Sequence, residues 1–156
     1  MPRRPRLVLA GVPMHIAQRG VHRVATFAND ENRIGHRDLL EQVIDSQGLP
    51  VHAFVLKDNH VHLLITPHDS NGLGHAMRLL NQRYVASFSR RHGRTGALWE
   101  RRFRSCLVSS NRYLPTFYRC IDLNPLRAAM LAAAEEYRWS SARSSAHAFR
   151  RWWRSP

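Results

Sequence analysis

The chain is poor in cysteine, in lysine, in acidic residues and in long apolar runs, and each shortage narrows what it can be. Its two cysteines, Cys106 and Cys120, show no C-x-x-C spacing, which argues against a zinc ribbon or a disulfide framework. That usage fits a reduced, cytoplasmic setting. No stretch approaches the roughly 18 to 20 consecutive apolar residues of a membrane-spanning helix. The opening MPRRPRLVLAGVP is basic and then briefly apolar, without the cleavage pattern of a signal peptide. There is no internal repeat and no linker long enough to divide the chain. A length of 156 residues therefore reads as one domain with a core that needs no staples. The expected organisation is a basic arm over 1–13, a single domain over 14–138 and an Arg- and Trp-rich tail over 139–156.

Acid is scarce and base abundant. Eleven Asp and Glu face 24 Lys and Arg, a net charge of +13 and an isoelectric point near 11.5. Lys57 is the only lysine, so the positive charge is almost all guanidinium. Arginine presents a rigid fork of donors that matches phosphate and the acceptor edge of guanine. A polyanionic partner, most simply nucleic acid, is the leading expectation; a generally basic surface without a specific partner is the plain alternative.

Periodicity places the elements. Met14 to Arg19 alternates as a first strand, closed by Gly20. A helix follows to about Gln47, capped by Asp30 or Asn32, with Ile34, Leu39, Leu40, Val43 and Ile44 as its apolar stripe. Gly48 and Pro50 end it. Strands over 51–57 and 60–67 flank the turn Lys57-Asp58-Asn59. A long helix then runs from about Asn71 to His92 on Leu73, Met77, Leu80, Tyr84 and Phe88. Residues 97–108 supply a fourth extended segment, and helical segments on either side of Asn124-Pro125 follow. The order is βαββαβ plus helices, an α+β, ferredoxin-like pattern whose first and third strands are central.

The third strand carries the chemistry. Side chains alternate across a strand, so His60 and His62 share one face while Val61 takes the other. Two imidazoles some ~6.5 to 7 Å apart along the strand can approach one ion. The same pattern also marks the solvent side of an ordinary amphipathic strand, and His-x-His alone does not decide between the two.

Basic residues and aromatics interleave nearby. Arg78, Arg83, Arg90 and Arg91 on the second long helix, with Arg94, Arg101, Arg102 and Arg104 after it, form the densest basic region. Tyr84, Phe88 and Trp99 lie among them, a composition that suits bases stacked beside phosphate contacts. Tyr84 and Phe88 equally fit a helix core face. Gln18, Arg19 and Arg23, at the end of the first strand and beyond it, are candidates to read base edges.

Taken together, these words resemble the REP-associated tyrosine transposases, relatives of the single-tyrosine HUH transposases. The matching stretches are MHIAQRG, AFVLKDNHVHLLITP, LNQRYVASFSRRHGRTGALWERRFRSCLV, YLPTFYRCIDLNPLRA and YRWSSARS, collinear over about residues 12 to 145. The resemblance implies a ferredoxin-like HUH nuclease domain that binds hairpin-forming single-stranded DNA. Such a domain nicks and rejoins the strand through a covalent phosphotyrosine intermediate. It also implies a divalent ion, Mg²⁺ or Mn²⁺, held by His60, His62 and Asn124, and a protein that acts as a monomer, with a dimer as the alternative.

One position departs from the pattern. The family's nucleophilic tyrosine stands four residues before the asparagine, and Cys120 occupies that place here. Three readings follow: the nucleophile is lost and cleavage impaired, Tyr113 on the same helical face substitutes, or Cys120 itself attacks. The first makes the chain a non-catalytic DNA-binding protein. An RNA-binding ferredoxin-like module is a further alternative, though the aromatic words of such modules are absent.

Overall fold

The computed structural model describes residues 7–107 and Trp139. Strand β1 spans Met14–Arg19, helix α1 Asp30–Gln47, β2 Val51–Leu56, β3 His60–Ile65, helix α2 Gly72–His92 and β4 Arg104–Leu107. The strands form one antiparallel sheet in the order β2-β3-β1-β4, so the first and third strands are the central pair. This is the ferredoxin-like arrangement that the element order predicts. The helices expected after β4 lie outside the described residues.

Each helix is set by local chemistry. Helix α1 is capped by Asn29, not by Asp30 or Asn32: the Asn29 side chain accepts from the Asn32 backbone N–H at 3.0 Å. Asn32 lies inside the first turn and reaches back to accept from the Ala28 N–H at 2.9 Å, a reciprocal arrangement like a capping box. Gly48 ends α1 in the left-handed region at φ 63°, where a side chain would be strained. The buried stripe also departs from expectation. Ile34 is 37% exposed, whereas His36, Leu40, Val43 and Ile44 are buried. Positions 36, 40 and 43 follow the helical repeat, and Ile34 falls nearly opposite His36. On α2 the expected Leu73, Met77, Leu80, Tyr84 and Phe88 are all buried.

One sheet face, with Met14, Ile16, Val61 and Leu63, joins the buried residues of both helices in a single core. Phe27, His36, Tyr84, Phe88 and Trp99 form its aromatic end, with ring centroids 4.9 to 6.5 Å apart. Tyr84 donates its hydroxyl to the Thr26 carbonyl. These aromatics therefore fill the core, and Trp99, 8% exposed, is no open stacking platform. Trp139 is also buried at 5%; its carbonyl accepts from the Leu56 N–H at 2.8 Å, and the Arg37 guanidinium sits 5.8 Å from its ring centre.

The fourth segment is shorter than the sequence suggests. Among its described residues only Arg104–Leu107 pairs as a strand; the stretch before it crosses the end of β1. There Trp99 bridges Gly20, the Leu98 carbonyl accepts from Val21, and the Glu100 N–H donates to Arg19. Gly20 sits in tight quarters: a Cβ on it would lie 2.4 Å from the Val24 carbonyl oxygen and 2.7 Å from the Thr26 methyl. Its N–H also donates to the Asn59 carbonyl at 2.8 Å, tying the end of β1 to the β2–β3 turn.

Candidate nucleic-acid interface

The second sheet face gathers the histidines. His62 lies opposite Ala17 and His60 opposite Arg19, so these four residues share one side of the sheet. Arg104 lies opposite Ala17 from the other edge, and Cys106 opposite His15. A cleft of about 190 Å³ opens here, and its lining includes His60, His62, Arg19, Glu100, Arg101, Arg102 and Arg104.

The two imidazoles are held in defined states. His60 Nδ1 is 2.7 Å from Asn59 Oδ1, an atom that only accepts, so the proton sits on Nδ1 and Nε2 keeps its lone pair. The Asn59 amide is itself oriented, since Nδ2 donates to the Arg23 carbonyl at 3.3 Å. That carbonyl belongs to a tight turn in which His22 and Arg23 adopt positive φ of 50° and 59°. Non-glycine residues bear strain there, and such strain clusters at functional sites. His62 Nδ1 lies 3.1 Å from His15 Nε2, with the two rings stacked 5.2 Å apart. The rings of His60 and His62 meet edge to face at 5.0 Å.

Burial keeps both groups neutral. Desolvation, followed by the nearby Lys57 and Arg19 cations, pushes the His60 imidazolium down to about 4. His62 falls to about 3, through desolvation and then the His15, His60, Lys57 and Arg19 charges. Desolvation lowers His15 as well. At neutral pH the cleft therefore presents uncharged imidazole nitrogens beside guanidinium cations, the form in which imidazole ligates a metal. Among the described residues no group of three or more His, Cys, Asp or Glu forms a metal-holding cluster. Asn124, Cys120 and Tyr113 lie outside the described residues.

The candidate arginines divide by position. Arg19, Arg101, Arg102 and Arg104 line the histidine cleft. Arg78 lines a second cleft beside Asn81 and Trp99, with its Nη2 3.1 Å from His75 Nδ1. Arg83, Arg90, Arg91 and Arg94 line neither. Arg91 pairs with Glu31 at 2.8 Å, and Arg94 donates to the Ala97 carbonyl at 3.2 Å. Arg23 is exposed on the strained turn. Gln18 is buried at 6%, with Nε2 donating to the Arg101 carbonyl at 3.4 Å.

Sequence reasoning passed over His15 and Asn59. The signal for Asn59 is its place in the turn directly before His60. His15 carried none that could be used, because its approach to His62 depends on the register between strands 47 residues apart.

Comparison with known proteins bears on the fold and the family. No curated protein matches the sequence. Among solved structures, a REP-associated tyrosine transposase bound to a REP hairpin superposes with a TM-score of 0.76 at 15% identity, over 100% of this chain and 93% of the other. A crystal structure assigned to a transposase from Deinococcus radiodurans R1 gives 0.50 at 19% identity, over 85% of this chain and 100% of the other. These likenesses show the fold. A family profile described as IS200-like transposase matches residues 10–121, which spans every described element, and the chain belongs to that family of DNA transposases.

Proposed function

We propose that the histidine cleft binds hairpin-forming single-stranded DNA of the repetitive extragenic type and holds a divalent ion, Mg²⁺ or Mn²⁺. The observation that carries this reading is the state of the histidine pair. Two neutral imidazoles lie on a central strand, each with Nδ1 within hydrogen-bonding distance of a neighbour, in a cleft walled by Arg19, Arg101, Arg102 and Arg104. The donor set suits a divalent ion: His60 and His62 would bind through Nε2, and the resemblance offers the Asn124 amide oxygen as a third ligand. A bound ion would polarise a scissile phosphate and offset its charge. The protein's own groups hold the backbone: guanidinium forks match phosphate oxygens, and their charge draws the polyanion in.

The covalent half of the family reaction is a separate question. Attack by a tyrosine oxygen exchanges one phosphodiester P–O bond for another and frees a terminal hydroxyl, which makes rejoining possible. Cys120 at the family's tyrosine position favours a chain that binds DNA and metal but forms no such adduct.

A nicking assay on hairpin DNA with Mg²⁺ or Mn²⁺ tests both parts. The native chain should bind without strand scission, and Cys120→Tyr should nick and yield a covalent protein–DNA adduct. An adduct in the native chain that persists in Tyr113→Phe but vanishes in Cys120→Ala would overturn the assignment of Cys120. Absence of any salt-dependent DNA binding would overturn the reading as a whole.

A further inference from the structure

Among the described residues, Arg33 is the one Arg, Lys, Asp or Glu that is buried, at 9% exposure. Its Nη2 donates to Asp58 Oδ1 in the turn between β2 and β3, and its Nη1 lies 3.8 Å from Asp30 Oδ1. Its Nε has no hydrogen-bond partner. Taking a cation out of water is costly, and a carboxylate that stays in water offsets little of that cost. Asp58 is such a partner, with its side chain 72% exposed. An apolar side chain of similar volume would fill the space as well, since the Arg33 guanidinium packs 5.8 Å from the Phe27 ring centre. Stability therefore does not account for a guanidinium at this place.

The orientation of the turn does. The Asp58 carbonyl accepts from the Thr26 and Phe27 N–H groups at 2.8 and 3.1 Å, and the Thr26 carbonyl accepts from the buried Tyr84 hydroxyl. With Arg33 on its carboxylate, Asp58 is tied at once to α1 and to the connection between β1 and α1. Asn59 follows directly, and its Oδ1 accepts from His60 Nδ1 at 2.7 Å. Asp58 and Asn59 share one planar peptide, so in a turn of three residues a rotation at the first is carried into the second. The side-chain amide of Asn59 is held only from the exposed turn at Arg23, at 3.3 Å. Arg33 is the buried side-chain anchor of this turn.

We propose that Arg33, through Asp58, is a positioning residue for the histidine cleft: it fixes the turn so that Asn59 keeps the proton on His60 Nδ1 and leaves Nε2 open to a divalent ion. The proposal rests on the metal-binding reading given above. Neither Arg33 nor Asp58 lines the cleft, so both act through Asn59.

The test uses the full chain with Arg33→Met, which keeps an unbranched apolar stem, and Asp58→Ala, which alters only an exposed side chain. In the metal-free proteins, ¹H–¹⁵N NMR spectra of the imidazoles read the tautomer of His60. The native chain should show the Nδ1–H form and both variants a mixture of the two neutral tautomers. Mn²⁺ affinity, read by EPR, should fall about three- to tenfold in each, less than the roughly 10- to 100-fold typical of losing a ligand's own hydrogen-bond partner. In an Asn59→Leu background, where that partner is already gone, Arg33→Met should cause no further loss, because the two changes act on one interaction. Should Arg33→Met fold poorly, Asp58→Ala gives the decision. A native His60 tautomer in both variants, or an equal Mn²⁺ loss with and without Asn59, overturns the positioning role and leaves the metal reading intact. If the native chain binds no Mn²⁺, the metal reading falls, and the tautomer spectra alone decide whether Arg33 sets the state of His60.

Discussion

His15 Nε2 sits 3.1 Å from His62 Nδ1, and the two rings are stacked within 6° of parallel. In the turn before β3, Asn59 holds the equivalent nitrogen of His60 at 2.7 Å. When His62 Nδ1 donates to His15, both histidines present a bare Nε2 to the same cleft, the usual way a neighbour fixes a ligand tautomer. His15→Phe keeps the stacked ring without the acceptor, and Asn59→Leu removes the other partner. Each should weaken Mn²⁺ binding by about 10- to 100-fold, as loss of such supporting bonds typically does. Titration by isothermal calorimetry or Mn²⁺ EPR reads this without reference to catalysis, and unchanged affinity in both variants would argue against ligation through Nε2.

The position of the arginines predicts how salt dependence should divide. Arg19→Ala and Arg104→Ala, at the histidine cleft, should each lower the slope of log affinity against log salt by about 0.7, the single-strand value for one lost phosphate contact. Arg91→Ala should leave the slope nearly unchanged, because its guanidinium pairs with Glu31 away from both clefts. That exposed pair should contribute under about 1 kcal/mol to stability. Equal slopes for all three variants would mean that charge acts diffusely.

Gly20 tests whether the end of β1 positions the site. A Cβ there meets the Val24 carbonyl oxygen at 2.4 Å, a backbone atom that moves only with its strand connection. Gly20→Ala should cost about 1 to 3 kcal/mol by overpacking, read as a lower urea midpoint. It should also weaken Mn²⁺ binding, because the Gly20 N–H holds the turn carrying Asn59.

Burial of His36 predicts acid sensitivity. Its ring lies edge to face with Phe27 and Tyr84, Nδ1 has no partner, and desolvation lowers its pKa from 6.5 to about 3. Tyr84, the titratable group facing it, is neutral because desolvation raises its pKa. Between pH 6.5 and 3 the unfolded chain binds a proton at this position and the folded chain does not. The contribution of neutral His36 is complete above pH 6.5 and is lost as pH falls, by up to about 1.4 kcal/mol per unit. Urea melts at pH 7, 6 and 5 should show that slope reduced in His36→Leu. Equal pH dependence in the two proteins would mean that His36 is protonated when folded.

Much of the architecture was legible because local rules and tertiary packing agreed. The apolar repeat of α2 from Leu73 to Phe88, the three-residue turn before His60 and the left-handed Gly48 each follow from steric or capping preferences acting over a few residues. Errors arose where local cues were nearly equal. Asn29, Asp30 and Asn32 are all good caps, and only the first backbone conformation showed which one serves. Ile34 looked like core because a repeat of three to four residues tolerates two phases, and the packing around His36 selected one. Trp99 looked like a base platform, yet its ring was needed to close the aromatic end of the core.

The sequence alone determined the βαββαβ order, the facing of His60 and His62 to one side of β3, and the excess of arginine, because alternation, turn residues and charge are properties of neighbouring residues. Tertiary structure decided what those histidines meet. The register of β1 against β3 brought His15 to His62, and the strained turn at His22 and Arg23 oriented Asn59 toward His60. The path of 97–103 across β1 set Arg101 and Arg102 between two clefts. Contacts between residues far apart in the chain depend on how whole elements pack, and no spacing within one segment encodes them.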